Sequence, residues 1–277
     1  MLNKYRFGIC EWSMPVSGPL AMILAGEAGY DGMQMGENGG RLNGYPLNNK
    51  RVQEIYLETA KAHNIEMHSL NLGALLSEGT LNYSCDTREG VNARLSLDNG
   101  FSACTSLGIK TVVITVNSSG KEQFENAVSH LKYAEDLADE RGIKIAIESA
   151  QPLEEIESLL LRLKPETKIC MDLLNPLRFC TGNPQEQIKK FGRDKISHFH
   201  MKDSVKSLFV PSQRGCVPLG LGDAGIEESV DLIKSIGYEG WMITENYYYL
   251  PPMNSEEKDF IVLAKNDLDR MKKYFKI

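Results

Sequence analysis

Several features are missing from this sequence, and each absence closes off a class of protein. No apolar run approaches the roughly 18 residues that a bilayer-spanning helix needs. The longest, such as Thr111-Val112-Val113-Ile114-Thr115-Val116 and Ile143 to Ile147, have the length of buried strands. Met1-Leu2-Asn3-Lys4-Tyr5-Arg6 runs straight into a strand-like segment without the apolar core and small-residue cleavage site of a signal peptide, so a cytoplasmic location is expected and a membrane partner is not. The six cysteines, Cys10, Cys85, Cys104, Cys170, Cys180 and Cys216, contain no CxxC, and their wide spacing fits reduced thiols rather than a disulfide framework or a zinc ribbon. Positive charge is scarce: 31 Lys and Arg stand against 37 Asp and Glu, for a formal net charge of -6. A nucleic-acid partner would need a basic face, and none is expected. The basic cluster Arg270-Met271-Lys272-Lys273, with Lys276, reads as the solvated end of a terminal helix. No GxGxxG or GxxxxGK[ST] follows an early strand, which removes the phosphate cradles of a doubly wound open sheet.

What is present is a regular alternation. The 277 residues are 42% hydrophobic and 25% charged, enough to bury a sizeable core, and no Pro/Ser-rich linker divides them. Short β-branched apolar runs alternate with segments of helical period, the mark of βα units on a parallel sheet. Strands are predicted at Phe7 to Trp12, Gly32 to Met35, Ile65 to Leu72, Thr111 to Val116, Lys144 to Ser149, Lys168 to Leu173, Ile196 to Lys202 and Gly240 to Glu245. Helices are predicted at Leu20 to Ala28, Asn48 to His63, Arg88 to Leu107, Glu122 to Arg141, Leu153 to Leu163, Pro184 to Phe191, Ile226 to Ile236 and Ser255 to Lys273. Glycine punctuates several helix-to-strand joints, as in Leu107-Gly108-Ile109 and Arg141-Gly142-Ile143, where a helix stops in the left-handed region. Eight units of about 35 residues approach the roughly 250 residues of an α/β (β/α)8 TIM barrel. The expectation is a single domain spanning residues 1–277.

In such a barrel the C-terminal ends of the strands carry the chemistry. The fifth predicted strand closes on Glu148, the sixth on Asp172 and the eighth on Glu245, while the seventh reads Ile196-Ser197-His198-Phe199-His200-Met201-Lys202-Asp203. A single carboxylate past a strand usually caps a helix or meets solvent. Three at one height would repel by several kcal/mol in a low-dielectric cavity unless a cation sat among them. With an imidazole added, the mixed O/N donors suit one divalent metal ion, Mn, Mg, Co or Zn. Side chains alternate along a strand, so His198, His200 and Lys202 share a face. His200 is the one level with the strand ends, His198 lies one layer deeper as a hydrogen-bonded core residue, and Lys202 belongs at the rim, to contact substrate or to pair with a carboxylate.

The series Glu148, Asp172, His200, Glu245, together with the His198-Phe199-His200-Met201-Lys202-Asp203 string, resembles the xylose isomerase-like TIM barrels and, within them, the sugar phosphate isomerase/epimerase group. That group includes ketose 3-epimerases, L-xylulose-5-phosphate 3-epimerases, hydroxypyruvate isomerase and inosose dehydratase. The resemblance spans nearly the whole chain and is most specific in its second half. It implies that Glu148, Asp172, His200 and Glu245 hold the metal, and that Glu154, six residues past Glu148, contacts substrate; on helix grounds alone Glu154 is a first-turn carboxylate. One departure stands out. Where ketose 3-epimerases carry a substrate-binding His three residues after the metal Asp, this chain has Asn175, which can hydrogen-bond a substrate oxygen but cannot gain a proton. Homo-oligomers, dimers or tetramers, are also common in the family.

In the first half, Glu11, Trp12 and His68 fall near the ends of the first and third strands, with Trp12 able to stack on a sugar and His68 a candidate for the pocket. His63 and His130 read as surface residues of helices. The long Gly/Pro-rich stretch from Asp203 to Gly225 reads as a lid or recognition loop, where Arg214 and the Lys206 region could meet a phosphate or hydroxyl. The implied reaction is metal-dependent proton transfer on a ketose or ketose phosphate, through a metal-stabilised cis-enediolate, with Glu148 and Glu245 as the catalytic pair and Glu154, Asn175, Lys202, Arg214, Trp12 and His68 as substrate contacts. The alternatives are an inosose-type polyol dehydratase, a metal-dependent endonuclease, which would use more His ligands than a chain with five His in all offers, and a non-catalytic sugar-binding barrel.

Overall fold

The structure, a computed structural model, describes residues 4–208 and 215–276. Eight parallel strands close into a barrel in sequence order, giving a (β/α)8 fold. The strands are β1 (Tyr5–Cys10), β2 (Gly32–Gly36), β3 (Glu66–Asn71), β4 (Thr111–Thr115), β5 (Lys144–Glu148), β6 (Lys168–Asp172), β7 (Ile196–Met201) and β8 (Gly240–Thr244). The helices are α1 (Gly18–Ala28), α2 (Lys50–His63), α3 (Gly73–Ser77), α4 (Arg88–Leu107), α5 (Gly120–Arg141), α6 (Leu153–Leu160), α7 (Asn175–Arg178), α8 (Pro184–Lys195), α9 (Ile226–Ser235) and α10 (Phe260–Phe275). No helix among the described residues is long and apolar enough to cross a membrane.

By contact density the chain divides into two compact units. One comprises Met1–Gln34, Ala60–Glu66 and Cys170–Ile277. Within it β1 runs against β8 over five residue pairs, from Tyr5↔Gly240 to Ile9↔Thr244, and β8 in turn pairs with β7 from Phe199↔Met242 to Met201↔Thr244. Gly32 opens β2 opposite Gly8. A Cβ on Gly32 would lie 2.6 Å from both the Glu66 carbonyl oxygen and the Trp241 ring, so only glycine lets backbone and indole approach this closely. The helix that covers β1 and β8 begins five residues later than the sequence pattern suggests, at Phe260, because the Asp259 carboxylate accepts the Ile261 and Val262 N–H groups and caps it there.

The other unit comprises Met35–Thr59 and Met67–Ile169. Its β4 and β5 pair in register from Thr111↔Lys144 to Thr115↔Glu148, which sets Glu148 level with the last residue of β4. The fully buried Leu70, Leu72, Leu97 and Phe101 lie in its core. Here one expectation fails. His130 is not on the surface: it is completely buried in α5, and its Nε2 lies 2.9 Å from the Tyr83 carbonyl oxygen. It falls on the same helix face as Ala127, Leu131 and Ala134, so the 3.6-residue period carries it inward with them.

Candidate metal centre

Positions at or beside the C-terminal ends of β5 to β8 bring the predicted donors together. Ligand atoms of Glu148, Asp172, His200 and Glu245 all lie within 4.8 Å of one another, and all four residues are buried. Glu148 ends β5, where the Thr115 hydroxyl donates to its Oε2 at 3.2 Å. Asp172 ends β6 and turns Oδ1 back onto the chain, accepting the backbone N–H groups of Leu174 (2.7 Å) and Asn175 (2.6 Å). Those two bonds start the short helix α7 and fix the carboxylate, leaving Oδ2 directed at β7.

His200 stands in the middle. Its Nε2 lies 2.8 Å from the Gln34 side-chain oxygen; with Nε2 donating to that oxygen, Nδ1 faces the carboxylates and would carry the lone pair for a metal. Nδ1 is 3.3 Å from Glu245 Oε2 and 4.0 Å from Asp172 Oδ2. A second-strand glutamine fixing the tautomer of a seventh-strand histidine is what a metal ligand needs and a generic core histidine does not. His198 lies behind it, fully buried, with ring centroids 5.6 Å apart, as the alternation along β7 requires.

Glu245 follows β8 and is held at both oxygens. The Trp12 indole N–H donates to Oε1 at 2.9 Å and the Lys202 ammonium to Oε2 at 2.9 Å. Lys202 is also 3.7 Å from Asp172 Oδ2, and at 2% exposure it is a buried member of the cluster rather than the rim residue its sequence position suggested. Burial alone would raise the Glu245 carboxyl, but Lys202 and His200 beside it hold it well below the usual carboxylate range. Burial likewise opposes the charge on Lys202, and Glu245 and Asp172 hold its ammonium protonated well above the usual lysine range. Three carboxylates outnumber the single ammonium of Lys202 in a buried space. That donor set and that imbalance fit one divalent cation held by Glu148, Asp172, His200 and Glu245.

The remaining predicted residues are placed as follows. Trp12 hydrogen-bonds Glu245 and meets the His200 ring edge-on at 6.5 Å between centroids, so its first role is to position these two. Asn175 is half-buried, its backbone tied to Asp172. His68 is half-buried with Nδ1 2.9 Å from the Ser69 hydroxyl, and Glu154 is exposed in the first turn of α6. Arg214 lies outside the described residues. Lys206 is exposed, and its backbone N–H donates to Asp223. No disulfide links any of the six cysteines.

Sequence reasoning passed over Gln34, a polar residue inside the Gly-Met-Gln-Met-Gly run of β2, and the organising role of Asp203. The Asp203 carboxylate accepts four backbone N–H groups, from Ser204, Gly220, Gly222 and Ala224, and gathers the loop that follows β7. A Cβ on Gly222 would collide with that carboxylate, which is why the turn reads Gly-Leu-Gly. The glycines around 220–225 are the signal that could have found it.

Comparison with known proteins is consistent with this geometry. A curated 2-epi-5-epi-valiolone 7-phosphate 2-epimerase from Actinoplanes sp. (strain ATCC 31044 / CBS 674.73 / SE50/110) is 24% identical over 237 residues, 83% of this chain and 82% of that protein. Among solved structures, the IOLI protein with a bound zinc atom superposes with a TM-score of 0.77 at 19% identity, covering 98% of this chain and 100% of that one. The D-psicose 3-epimerase with D-tagatose from Clostridium cellulolyticum H10 superposes with a TM-score of 0.75 at 14% identity, covering 97% and 99%. The family model described as "Xylose isomerase-like TIM barrel" matches residues 23–265. With most of its length inside that match, the chain belongs to the xylose isomerase-like TIM barrel family.

Proposed function

We propose that this chain, acting as one functional domain over residues 1–277, is a divalent-metal-dependent isomerase or epimerase of a ketose or ketose phosphate. The observation that carries the reading is the buried group of Glu148, Asp172, His200 and Glu245, with ligand atoms within 4.8 Å of one another and three carboxylates against the one ammonium of Lys202. The epimerase named as a relative and the zinc-holding structural neighbour support it. Bound there, the metal, whether Mn, Mg, Co or Zn, supplies positive charge that polarises a substrate carbonyl and acidifies the adjacent C–H.

The chain's own residues do the rest. Glu148 and Glu245 come from strands β5 and β8 and are the two carboxylates able to work on opposite faces of one carbon, one taking a proton and the other returning it. Lys202 and the Trp12 indole keep Glu245 ionised and immobile, so that it enters the reaction as a base in fixed orientation. Gln34 holds His200 in its ligating tautomer. Asn175 would hydrogen-bond a hydroxyl or carbonyl oxygen of the sugar without proton transfer. The partner is a small-molecule sugar or sugar phosphate and the location is cytoplasmic; a homo-oligomer, dimer or tetramer, is what the family resemblance suggests.

The test is substrate-dependent exchange of solvent deuterium into a panel of free and phosphorylated ketoses. Exchange with at least one ketose in the metal-loaded chain, abolished in Glu148→Gln and Glu245→Gln, is the expected result. No exchange with any ketose, together with loss of water from an inosose, would overturn it in favour of the dehydratase.

A further inference from the structure

A second charged feature lies close to these residues and is not used by the proton-transfer chemistry. The turn after β6 is pinned by Asp172, and one step on, the Arg178 backbone N–H donates to the Leu174 carbonyl at 2.9 Å, closing α7. This turns the Arg178 side chain inward, to 6% exposure. An arginine so buried is ordinarily paired with a carboxylate, because its charge cannot be neutralised by losing a proton. Among the described residues Arg178 has no such carboxylate pairing. Neither Nε nor Nη2 has a hydrogen-bond acceptor among the described residues.

The two atoms left over are informative. Nε and Nη2 form the side-on edge of the guanidinium, whose N–H bonds run parallel and match two oxygens of one oxyanion. The edge also has a location. Arg178 lies against the Cys216 thiol, and the Lys202 ammonium is near enough to bias the same thiol. Lys202 in turn touches Glu245 and lies 3.7 Å from Asp172. Lys202 thus touches the acid cluster and acts electrostatically on the thiol that the Arg178 side chain meets. A neutral sugar would leave the guanidinium fork unmatched.

We propose that Arg178 is the receptor for an oxyanion at one end of the substrate, a phosphate monoester or a carboxylate, gripped through Nε and Nη2 while the carbonyl end lies at Glu148, Asp172, His200 and Glu245. This rests on the isomerase reading for what the rest of the substrate is, but not for the binding of the anion itself. The assignment also explains the burial: the counter-ion of Arg178 arrives with the ligand. It names a specificity determinant in a helix of four residues that no sequence pattern marks.

Two measurements test it separately from the catalytic reading. In the first, inorganic phosphate and acetate are titrated calorimetrically into the chelator-treated chain. One of the two binds the wild type, Arg178→Met weakens that binding by about 10- to 100-fold, and Arg178→Lys, which keeps the charge without the fork, falls between. Whichever anion binds distinguishes the ester from the acid. Thermal unfolding runs alongside: Arg178→Met unfolds at a higher temperature than wild type in the absence of the anion, since a buried unmatched charge has been removed, and the anion raises the wild-type transition. In the second, the ratio of kcat/KM for an anionic over a neutral ketose falls about 10- to 100-fold in Arg178→Met. Equal anion binding by wild type and Arg178→Met, or a wild type that binds neither anion while Arg178→Met unfolds earlier, would show a structural cation and overturn the proposal. If the anion binds as described but no ketose exchanges deuterium, the isomerase reading fails and the anion site stands.

Discussion

Asp267 on α10 offers a quantitative test of how the region behind the acid cluster is held. It is completely buried and its carboxylate ties three segments together: Oδ1 accepts the Leu219 N–H at 2.9 Å, and Oδ2 accepts the Asn246 amide at 2.8 Å and the Tyr248 hydroxyl at 3.2 Å. Asn246 directly follows Glu245, so this network anchors the residue that places a proposed base. Burial pushes the Asp267 carboxyl up from 3.8 to about 6, and the three donors only partly offset it. A native pKa above the unfolded one means that the folded chain binds the proton more tightly. The stability this contributes is complete below about pH 3.8 and is lost as the pH rises through about 6. A shift of roughly two units is worth about 3 kcal/mol. Urea unfolding of wild type and Asp267→Asn at half-unit steps between about pH 4 and 7 measures it. The variant is less stable at low pH, because an amide cannot accept from all three donors, but the gap between the two chains narrows by about 3 kcal/mol across the window. Other titrating groups are common to both and cancel in the difference. Parallel curves would refute the reasoning, since they would mean that Asp267 does not titrate there.

Two further perturbations probe the cluster and its loop. Lys202→Met removes the buried cation from beside Glu245 and Asp172 and should destabilise the metal-free chain by about 3–5 kcal/mol in urea unfolding, with much of the loss recovered on adding a divalent ion; an unchanged midpoint would show that the pair is not buried as described. Asp203→Ala strips the acceptor from the N–H groups of Ser204, Gly220, Gly222 and Ala224 and should cost at least about 2 kcal/mol, with protease cleavage between residues 217 and 224 accelerated well beyond cleavage elsewhere.

How much of this was legible in the sequence follows from the physics of each element. All eight strands were found, because buried parallel strands read as short apolar runs, and three of the late ones closed on a carboxylate at or just past the strand end. The two-residue period of β7 put His198 and His200 on one face, and height along the strand, with the family resemblance, favoured His200. The features that escaped depend on distance through space. Lys202 looks like a rim residue along its own strand, and only carboxylates from β6 and the end of β8 draw it inward. Gln34 earns its place from a histidine 166 positions away. Helix α7 is four residues long, too short to show a period, so Arg178 had no pattern to announce it. His130, by contrast, was legible: the helical period put it among Ala127, Leu131 and Ala134, and its polarity was given too much weight.

The central claim is that Glu148, Asp172, His200 and Glu245 together hold one divalent ion. The most direct test is metal content, measured by mass spectrometry after dialysis against each of Mn, Mg, Co and Zn, on wild type and His200→Ala. The account predicts about one equivalent of at least one of these ions in the wild type and a loss of 10-fold or more in affinity in His200→Ala, with the variant still folded by circular dichroism. A wild-type chain that retains none of the four ions, or a His200→Ala chain that retains them as tightly as wild type, would contradict it.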